Sequence, residues 1–167
     1  MTRRDYTLKW LFYSLTTLFF VVLQSWVLPH VTVWGIHPFL LPVIVALATM
    51  WEGNEGLLFS LFFGLLTDLT TTGPIPCFYT LAFFVAAAAA MLIAKRVLVP
   101  GFFCAVIVSV LAIILCDLLQ ILFLSYSTGL AISPALLLLA KELLLSVVCM
   151  PLIFFPFRRL HTRSQMD

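Results

Sequence analysis

The residues Gly53–Pro76, GNEGLLFSLFFGLLTDLTTTGPIP, decide how the chain folds. Within them Gly56, Ser60, Gly64 and Asp68 follow one another at intervals of four residues, and this spacing places them on one face of a helix. Small residues let two helices approach closely in a membrane. The face is therefore either a groove in which another helix or a polar ligand docks, or a tight helix crossing that ends in an acid at the water boundary.

This helix is expected to end shortly after Asp68. Gly73, Pro74 and Pro76 follow closely, and a helix interior does not tolerate Pro, because its ring removes a backbone donor and clashes with the preceding turn. The acid thus lies at the end of an apolar helix, next to a turn. The residues that we assign to partner binding or helix packing on these grounds are Gly56, Ser60, Gly64, Asp68 and Gly73.

The composition of the chain is that of an integral membrane protein. Of its 167 residues, 63% are hydrophobic and 10% are charged, and the mean hydropathy is +1.18. No soluble domain of this size has such a composition. The cysteines lack CxxC spacing, and the sequence contains no metal-ligand pattern, phosphate-binding motif or nucleophile motif. We therefore predict no catalytic residues, no metal, no cofactor and no nucleic-acid partner.

Apolar runs separated by Pro, Gly and charged residues predict an all-α, polytopic membrane domain that occupies residues 1–167. A run of about 20 residues crosses the hydrocarbon core as a helix. The second and third runs are short and interrupted by Gly or Pro, a feature that points to a site in membrane proteins. The six predicted transmembrane helices cover the ranges 10–28, 36–51, 56–70, 78–94, 102–124 and 135–155.

The distribution of Lys and Arg predicts the orientation of these spans. With six spans, the N-terminal segment, the connection between the fourth and fifth spans and the C-terminal tail lie on one side, and they contain every basic residue except Lys141. The loops expected on the other side, 29–38, 69–77 and 125–134, contain none. Because basic loops stay in the cytoplasm, both termini are expected to be cytoplasmic. Five spans would leave one basic terminus outside.

Ionisable residues also lie within the predicted spans, where each costs about 2.5–3.5 kcal/mol at the membrane centre. Asp117 precedes the outer end of the fifth span by seven residues, and Lys141 lies at a matched distance from the outer start of the sixth span. At 1.5 Å per residue both lie about 10 Å below the outer surface. Because these helices are consecutive and antiparallel, we predict an Asp117–Lys141 ion pair.

Further polar side chains lie in the same outer half of the membrane. Glu142 is turned about 100° away from Lys141 on the same helix, Gln120 is one turn beyond Asp117, and Gln24 is near the outer end of the first span. The inner half is nearly free of polar side chains. This asymmetry indicates either a polar cavity or partner site that opens outward, or mutual pairing within a stable bundle.

The stretch FGLLTDLTTTG, Phe63–Gly73, resembles the rod-shape-determining MreD family of bacterial membrane proteins. That family has a Gly-x-x-x-Asp pattern followed by a Gly-containing turn, and the matching residues here are Gly64, Asp68 and Gly73. The size of the chain, the six apolar runs and the preceding turn WEGNEG also fit. Pro76 stands where the family has a second glycine, which leaves the geometry of the turn open.

The resemblance implies a non-enzymatic subunit of the cell-elongation machinery in the bacterial inner or plasma membrane, which helps maintain cell shape by organising lateral peptidoglycan synthesis. It implies binding to the single-span protein MreC, beside a RodA-type glycosyltransferase, a class B transpeptidase, the MreB cytoskeleton and membrane lipid. The outer polar residues would then face the transmembrane and juxtamembrane part of MreC. The resemblance also implies a fold similar to that of the substrate-binding subunits of energy-coupling-factor transporters.

Two other functions remain open. The first is such a substrate-binding subunit itself, which the outer polar residues would suit, although the first span has no alanine and so lacks the Ala-x-x-x-Ala coupling motif of these subunits. The second is an intramembrane aspartyl protease in which Asp68 and Asp117 share a proton. Asp68 follows Leu66 and Thr67, however, and so lacks the Gly-x-Gly-Asp context of these proteases.

Overall fold

The computed structural model describes residues 3–27, 38–71, 73, 75–96, 101–128 and 132–166. Every regular element in these residues is helical. The elements are α1 (Arg3–Val22), which continues into a π-helical turn (Leu23–Val27), α2 (Leu41–Glu52), α3 (Asn54–Thr70), α4 (Phe78–Arg96), α5 (Phe102–Thr128) and α6 (Ile132–Met166).

The shortest helix, α2, forms the centre of the bundle. It contacts each of the other five helices, and the residues from Val43 to Ala48 are completely shielded from solvent. A helix that is apolar on every side is stable only when other helices surround it. Pro42 falls in its first turn, where the N–H that proline lacks would have had no helical partner. The 12 residues of α2 extend about 18 Å, which is less than the thickness of about 30 Å of a typical hydrocarbon core.

An aromatic cluster attaches α1 to the bundle. Tyr13 is fully buried, and its ring contacts those of Trp10, Phe59 and Phe157. Its hydroxyl donates a hydrogen bond to Oε1 of Glu52 at 3.2 Å. One side chain of α1 therefore contacts α3 and α6 and is bonded to the end of α2.

Three helices in the described residues are long and apolar enough to cross a membrane, and they cover Phe78–Arg96, Phe102–Tyr126 and Leu136–Arg159. The apolar parts of α1 and α2, Trp10–Val22 and Leu41–Glu52, are shorter. The predicted all-α class is confirmed for the described residues, and the three apolar helices indicate a membrane protein. Six complete spans and cytoplasmic termini stay predictions.

Each predicted span contains one helix, although the ends differ. Helices α4 and α5 begin at the predicted residues, Phe78 and Phe102. Helix α6 continues through Pro151 and Pro156 to Met166, well beyond the predicted end at 155. Residue 28 of the first predicted span and residues 36 and 37 of the second lie outside the described residues.

Candidate functional site

Helices α3 and α4 cross closely at Gly64. A Cβ atom at this position would lie 2.5 Å from the Cα of Thr80 and 2.9 Å from the carbonyl oxygen of Tyr79. Both neighbours are backbone atoms, which cannot move aside as the end of a flexible side chain can. Any larger residue must therefore push the two helices apart, so the packing of α4 within the chain requires glycine here.

Asp68, one turn after Gly64, binds the first turn of α4. Its Oδ1 accepts a hydrogen bond from the backbone N–H of Tyr79 at 2.9 Å. Its Oδ2 accepts hydrogen bonds from the backbone N–H of Thr80 at 2.9 Å and from the Thr80 hydroxyl at 2.6 Å. The first N–H groups of a helix have no intrahelical acceptor and form the positive end of its dipole, so a carboxylate stabilises them. In the Gly-x-x-x-Asp pattern, glycine thus allows the approach of α4 and aspartate holds its start.

The turn between α3 and α4 has its unusual backbone conformation at Cys77. The φ angle of Cys77 is 62°, which lies in the left-handed region that favours glycine. Cys77 comes directly after Pro76, and position 76 is the one at which the family that the chain resembles has a second glycine. Gly73 lies in the same turn, and a Cβ there would be 3.1 Å from the Cβ of Phe78.

The earlier small residues of the Gly56-to-Asp68 face lie at the start of α3, where it packs against α2. A Cβ at Gly56 would lie 2.5 Å from the Cα of Thr49 and 2.8 Å from the carbonyl oxygen of Ala48. Ser60 is fully buried, and its hydroxyl donates a hydrogen bond to the carbonyl oxygen of Leu57 at 2.7 Å. Helix α3 therefore crosses α2 near its start and α4 near its end.

This geometry corresponds to the second of the two interpretations of the face, a tight crossing within the chain. Helices α2 and α4 occupy the space beside Gly56 and Gly64, and both oxygens of Asp68 accept hydrogen bonds. A shallow cavity of about 350 Å³ opens beside Asp68, lined in part by Gly73 and Cys77. The assignment of these residues to the binding of a partner is not tested by this geometry and stays a prediction.

Gln24 stabilises the non-helical segment, residues 38–40, that leads into α2. Its Nε2 donates a hydrogen bond to the carbonyl oxygen of Pro38 at 2.9 Å, and its Oε1 accepts one from the N–H of Leu40 at 3.0 Å. The Ser146 hydroxyl of α6 accepts a hydrogen bond from the N–H of Phe39 at 2.9 Å. Non-helical backbone at membrane depth is tolerated where protein groups satisfy its donors and acceptors. Gln24 therefore has a structural role in this connection.

Tyr79 connects the polar residues at this end of the bundle. Its side chain is buried, and its ring packs against that of Phe39 with the centroids 6.5 Å apart. Its hydroxyl lies within electrostatic range of Asp68 and Glu142. The Tyr79 ring thus packs on the segment before α2, while its backbone N–H is bonded to Asp68 of α3. Sequence reasoning did not single out Tyr79, because a tyrosine in an apolar helix carries no signal of what its hydroxyl faces.

The predicted ion pair between Asp117 and Lys141 is not formed in the structure. Asp117 is 6% exposed, its Oδ2 has no hydrogen-bond partner among the described residues, and its charged neighbour is Glu142. Lys141 is exposed. Equal depth along the membrane normal brought the two residues together in the prediction, but the rotation of α6 separates them. Ser146, one turn after Glu142, is buried, so Glu142 is turned toward the bundle and Lys141 away from it.

We define the polar cluster as Asp68, Tyr79, Asp117 and Glu142. Gln120 is half-buried, and no hydrogen bond between described residues joins its side chain to this cluster. In the part of the chain that the structure describes, no three His, Cys, Asp or Glu side chains are arranged to hold a metal ion. The cluster therefore holds three carboxyl groups and one phenol, and among the described residues no basic side chain is in contact with its buried acid, Asp117.

Comparison of the chain with protein-family models, with curated proteins and with solved structures finds no match in any of the three.

Proposed function

We propose that this chain is a non-enzymatic membrane subunit of the bacterial cell-elongation machinery, similar to MreD, which binds MreC and helps maintain cell shape by organising lateral peptidoglycan synthesis. The observation that carries the proposal is the hairpin of α3 and α4. Gly64 and Asp68, which carry the resemblance, both act on the same residue, Thr80. The glycine and the acid of the pattern therefore work as one structural unit, and this shared role supports reading them as a motif.

In this role the chain lies in the inner or plasma membrane with six spans, both termini in the cytoplasm, and a fold similar to that of energy-coupling-factor substrate-binding subunits. The three long apolar helices, α4, α5 and α6, support the membrane location. Helix α2 contributes its shorter span from inside the bundle, where the other five helices surround it, whereas α3 packs against α2 and α4 and is exposed on its other side.

The proposed partners are the single-span protein MreC, a RodA-type glycosyltransferase, a class B transpeptidase, the MreB cytoskeleton and the surrounding lipid. Because Gly56, Gly64 and Asp68 are engaged within the chain, we expect a partner helix on the outer surface of the bundle. Beneath that surface, the hydrogen bonds of Asp68 to Tyr79 and Thr80 fix α4 against α3.

Pull-down of the tagged full-length chain from native membranes, followed by mass spectrometry, tests this proposal. We expect recovery of MreC together with the elongation synthases. An unrelated polytopic protein with the same tag serves as the control for non-specific recovery. Recovery of a pair of ATPases with their coupling membrane subunit would contradict the proposal and favour the transporter alternative, and a bound vitamin-sized ligand would then be sought.

A further inference from the structure

One face of α6 is apolar, exposed and interrupted by a single charge. Lys141 is exposed near one end of this face, and the other members lie within about 60° of it around the helix axis. Between 55% and 73% of each of these apolar side chains is exposed. We call the set the lysine face, and it consists of Leu137, Lys141, Leu144, Val148, Leu152 and Phe155.

The lysine face is turned away from the bundle. The buried residues of α6 lie on the opposite side of the helix and include Ser146, Met150 and Phe157. Glu142 lies between the two sides and is half-buried. Among the described residues, the Lys141 ammonium group has neither a hydrogen bond nor an ion pair. No acid of the polar cluster therefore neutralises this charge.

The position of Lys141 calls for an acceptor from outside the chain. It follows Leu136, the first residue of the apolar segment of α6, by five residues, a rise of about 8 Å. A charged side chain at such depth in a membrane normally pairs with another group. The spacing of Leu137, Lys141, Leu144 and Val148, alternately four and three residues, is that of a seam along which two helices pack, and a single lysine in such a seam fixes their register.

We propose that the lysine face docks a transmembrane helix of a partner protein, and that this helix carries an Asp or Glu at the depth of Lys141. The carboxylate accepts hydrogen bonds from the ammonium group, while the apolar residues of the face pack against the partner helix. The inference deepens the proposed function and rests on it in one respect, namely that the chain has a partner within the membrane.

The charge of Lys141 and the length of the lysine face favour a partner helix over two other occupants, a second copy of the chain and a lipid phosphate. A second copy of the chain, docked symmetrically through the same face, would bring two Lys141 ammonium groups together, and like charges repel. A lipid phosphate could accept a hydrogen bond from a lysine that extends toward the membrane surface. A lipid does not require the spacing of three or four residues, which continues for about four more turns, to Phe155.

The test uses the purified full-length chain in phosphatidylcholine vesicles and a synthetic single-span peptide as the probe. The peptide has about 20 Leu and Ala residues with one Glu at a depth of about 8 Å, and a companion peptide has Leu in place of Glu. Energy transfer between dyes on the peptide and the chain measures association. We expect the Glu peptide to bind about 3- to 20-fold more tightly, the range that interhelical hydrogen bonds in membranes support.

Substitutions of the chain assign this preference to Lys141. Lys141→Met removes the ammonium group and keeps the apolar stem, so we expect the preference for Glu to vanish, whereas Lys141→Arg should retain it. Lys95→Met is the matched control, because Lys95 is also exposed but lies in the last turn of α4, and we expect it to change nothing. Lys141→Glu should prefer a peptide with Lys in place of Glu, which keeps the test decisive where the Met variant fails to fold.

Several outcomes would overturn the inference. These are equal binding of the Glu and Leu peptides to the unsubstituted chain, and a Glu preference that survives Lys141→Met. Energy transfer between copies of the chain that Lys141→Met abolishes would assign the face to self-association. A stabilisation by phosphatidylglycerol that needs Lys141, without any peptide preference, would assign the lysine to lipid phosphate. None of these outcomes involves MreC, so this test and the pull-down from native membranes succeed or fail separately.

Discussion

Among the acidic residues that the sequence places inside the membrane, Asp68 and Asp117 have opposite surroundings. Asp68 accepts three hydrogen bonds from the start of α4. Asp117 is buried beside Glu142 with an oxygen that has no hydrogen-bond partner in the described residues. The first acid therefore stabilises the fold through specific bonds, while the second places a carboxyl group with an unbonded oxygen in apolar surroundings. The two should respond differently to substitution.

We expect Asp68→Ala to lower the free energy of unfolding by about 2–4 kcal/mol, because the backbone donors of Tyr79 and Thr80 lose a charged acceptor. Thr80→Val is the matched comparison, since it keeps the branched shape and removes only the hydroxyl bond to Asp68, at a cost of about 1 kcal/mol. Unfolding by titration with sodium dodecyl sulfate in mixed micelles, followed by circular dichroism, measures both. Equal stability of the two variants would show that the backbone bonds to Asp68 contribute nothing.

Asp117→Asn is expected to leave the free energy of unfolding within about 1 kcal/mol of the original value. Asp117 has no lysine partner to lose, and the neutral amide removes its repulsion with Glu142. The reactivity of Lys141 toward an amine-specific reagent should also stay the same, because this side chain is already exposed. A loss of about 3–5 kcal/mol, the cost of breaking a buried ion pair, with newly reactive Lys141, would instead establish the pair.

At the scale of the helices, α3 depends on glycine at each of its two crossings. Gly56→Ala and Gly64→Ala should each destabilise the protein by about 1–3 kcal/mol, because a helix must shift to accept the new atom. Ser60→Ala, on the same face between them, adds no atom and removes a hydroxyl bonded within α3, so its cost should stay below about 1 kcal/mol. The same titration compares the three. If Gly64→Ala were as stable as Ser60→Ala, the close approach of α4 would not be required.

The positions of the helices could be predicted from the sequence, because apolar length and Gly or Pro breaks are local signals. The face that each helix turns inward could not, because nearly every residue in these runs is apolar and no polar stripe orients the helix. Lys141 and Glu142 illustrate the difference, since they are consecutive in the sequence and a rotation of about 100° decides which of them faces Asp117. The small-residue face was predictable, but its occupants, α2 and α4, depend on tertiary packing.

At the scale of the whole molecule, the interior side chains bond and pack within the chain, whereas part of the surface is apolar and uncovered. The interior is committed to internal bonds, with α2 enclosed by five helices, Gln24 bound to the segment before it, and Asp68 bound to α4. Helix α6 leaves a long apolar side uncovered. A protein built in this way has a fixed core and presents lateral helix faces to its surroundings, which is the arrangement that a partner-binding membrane subunit requires.

The proposed orientation can be tested with a cysteine that the chain already contains. Cys77 is exposed in the turn between α3 and α4, whereas Cys104 and Cys116 are buried. Both termini in the cytoplasm place this turn outside, so a membrane-impermeant maleimide should label the chain in intact cells or spheroplasts. Cys77→Ser should abolish this labelling. Labelling that needs permeabilisation would place the turn in the cytoplasm and contradict the orientation.

The same labelling tests the number of spans when a new cysteine is added near either terminus, each in the Cys77→Ser background. Ser164→Cys should be labelled only after permeabilisation, because α4, α5 and α6 separate the tail from the turn and three crossings change the side of the membrane. Thr2→Cys should behave in the same way if α1, α2 and α3 also cross an odd number of times. Labelling of Thr2→Cys in intact cells would mean that one of these three helices does not cross, and the enclosed α2, at about 18 Å, would be the first helix to reconsider.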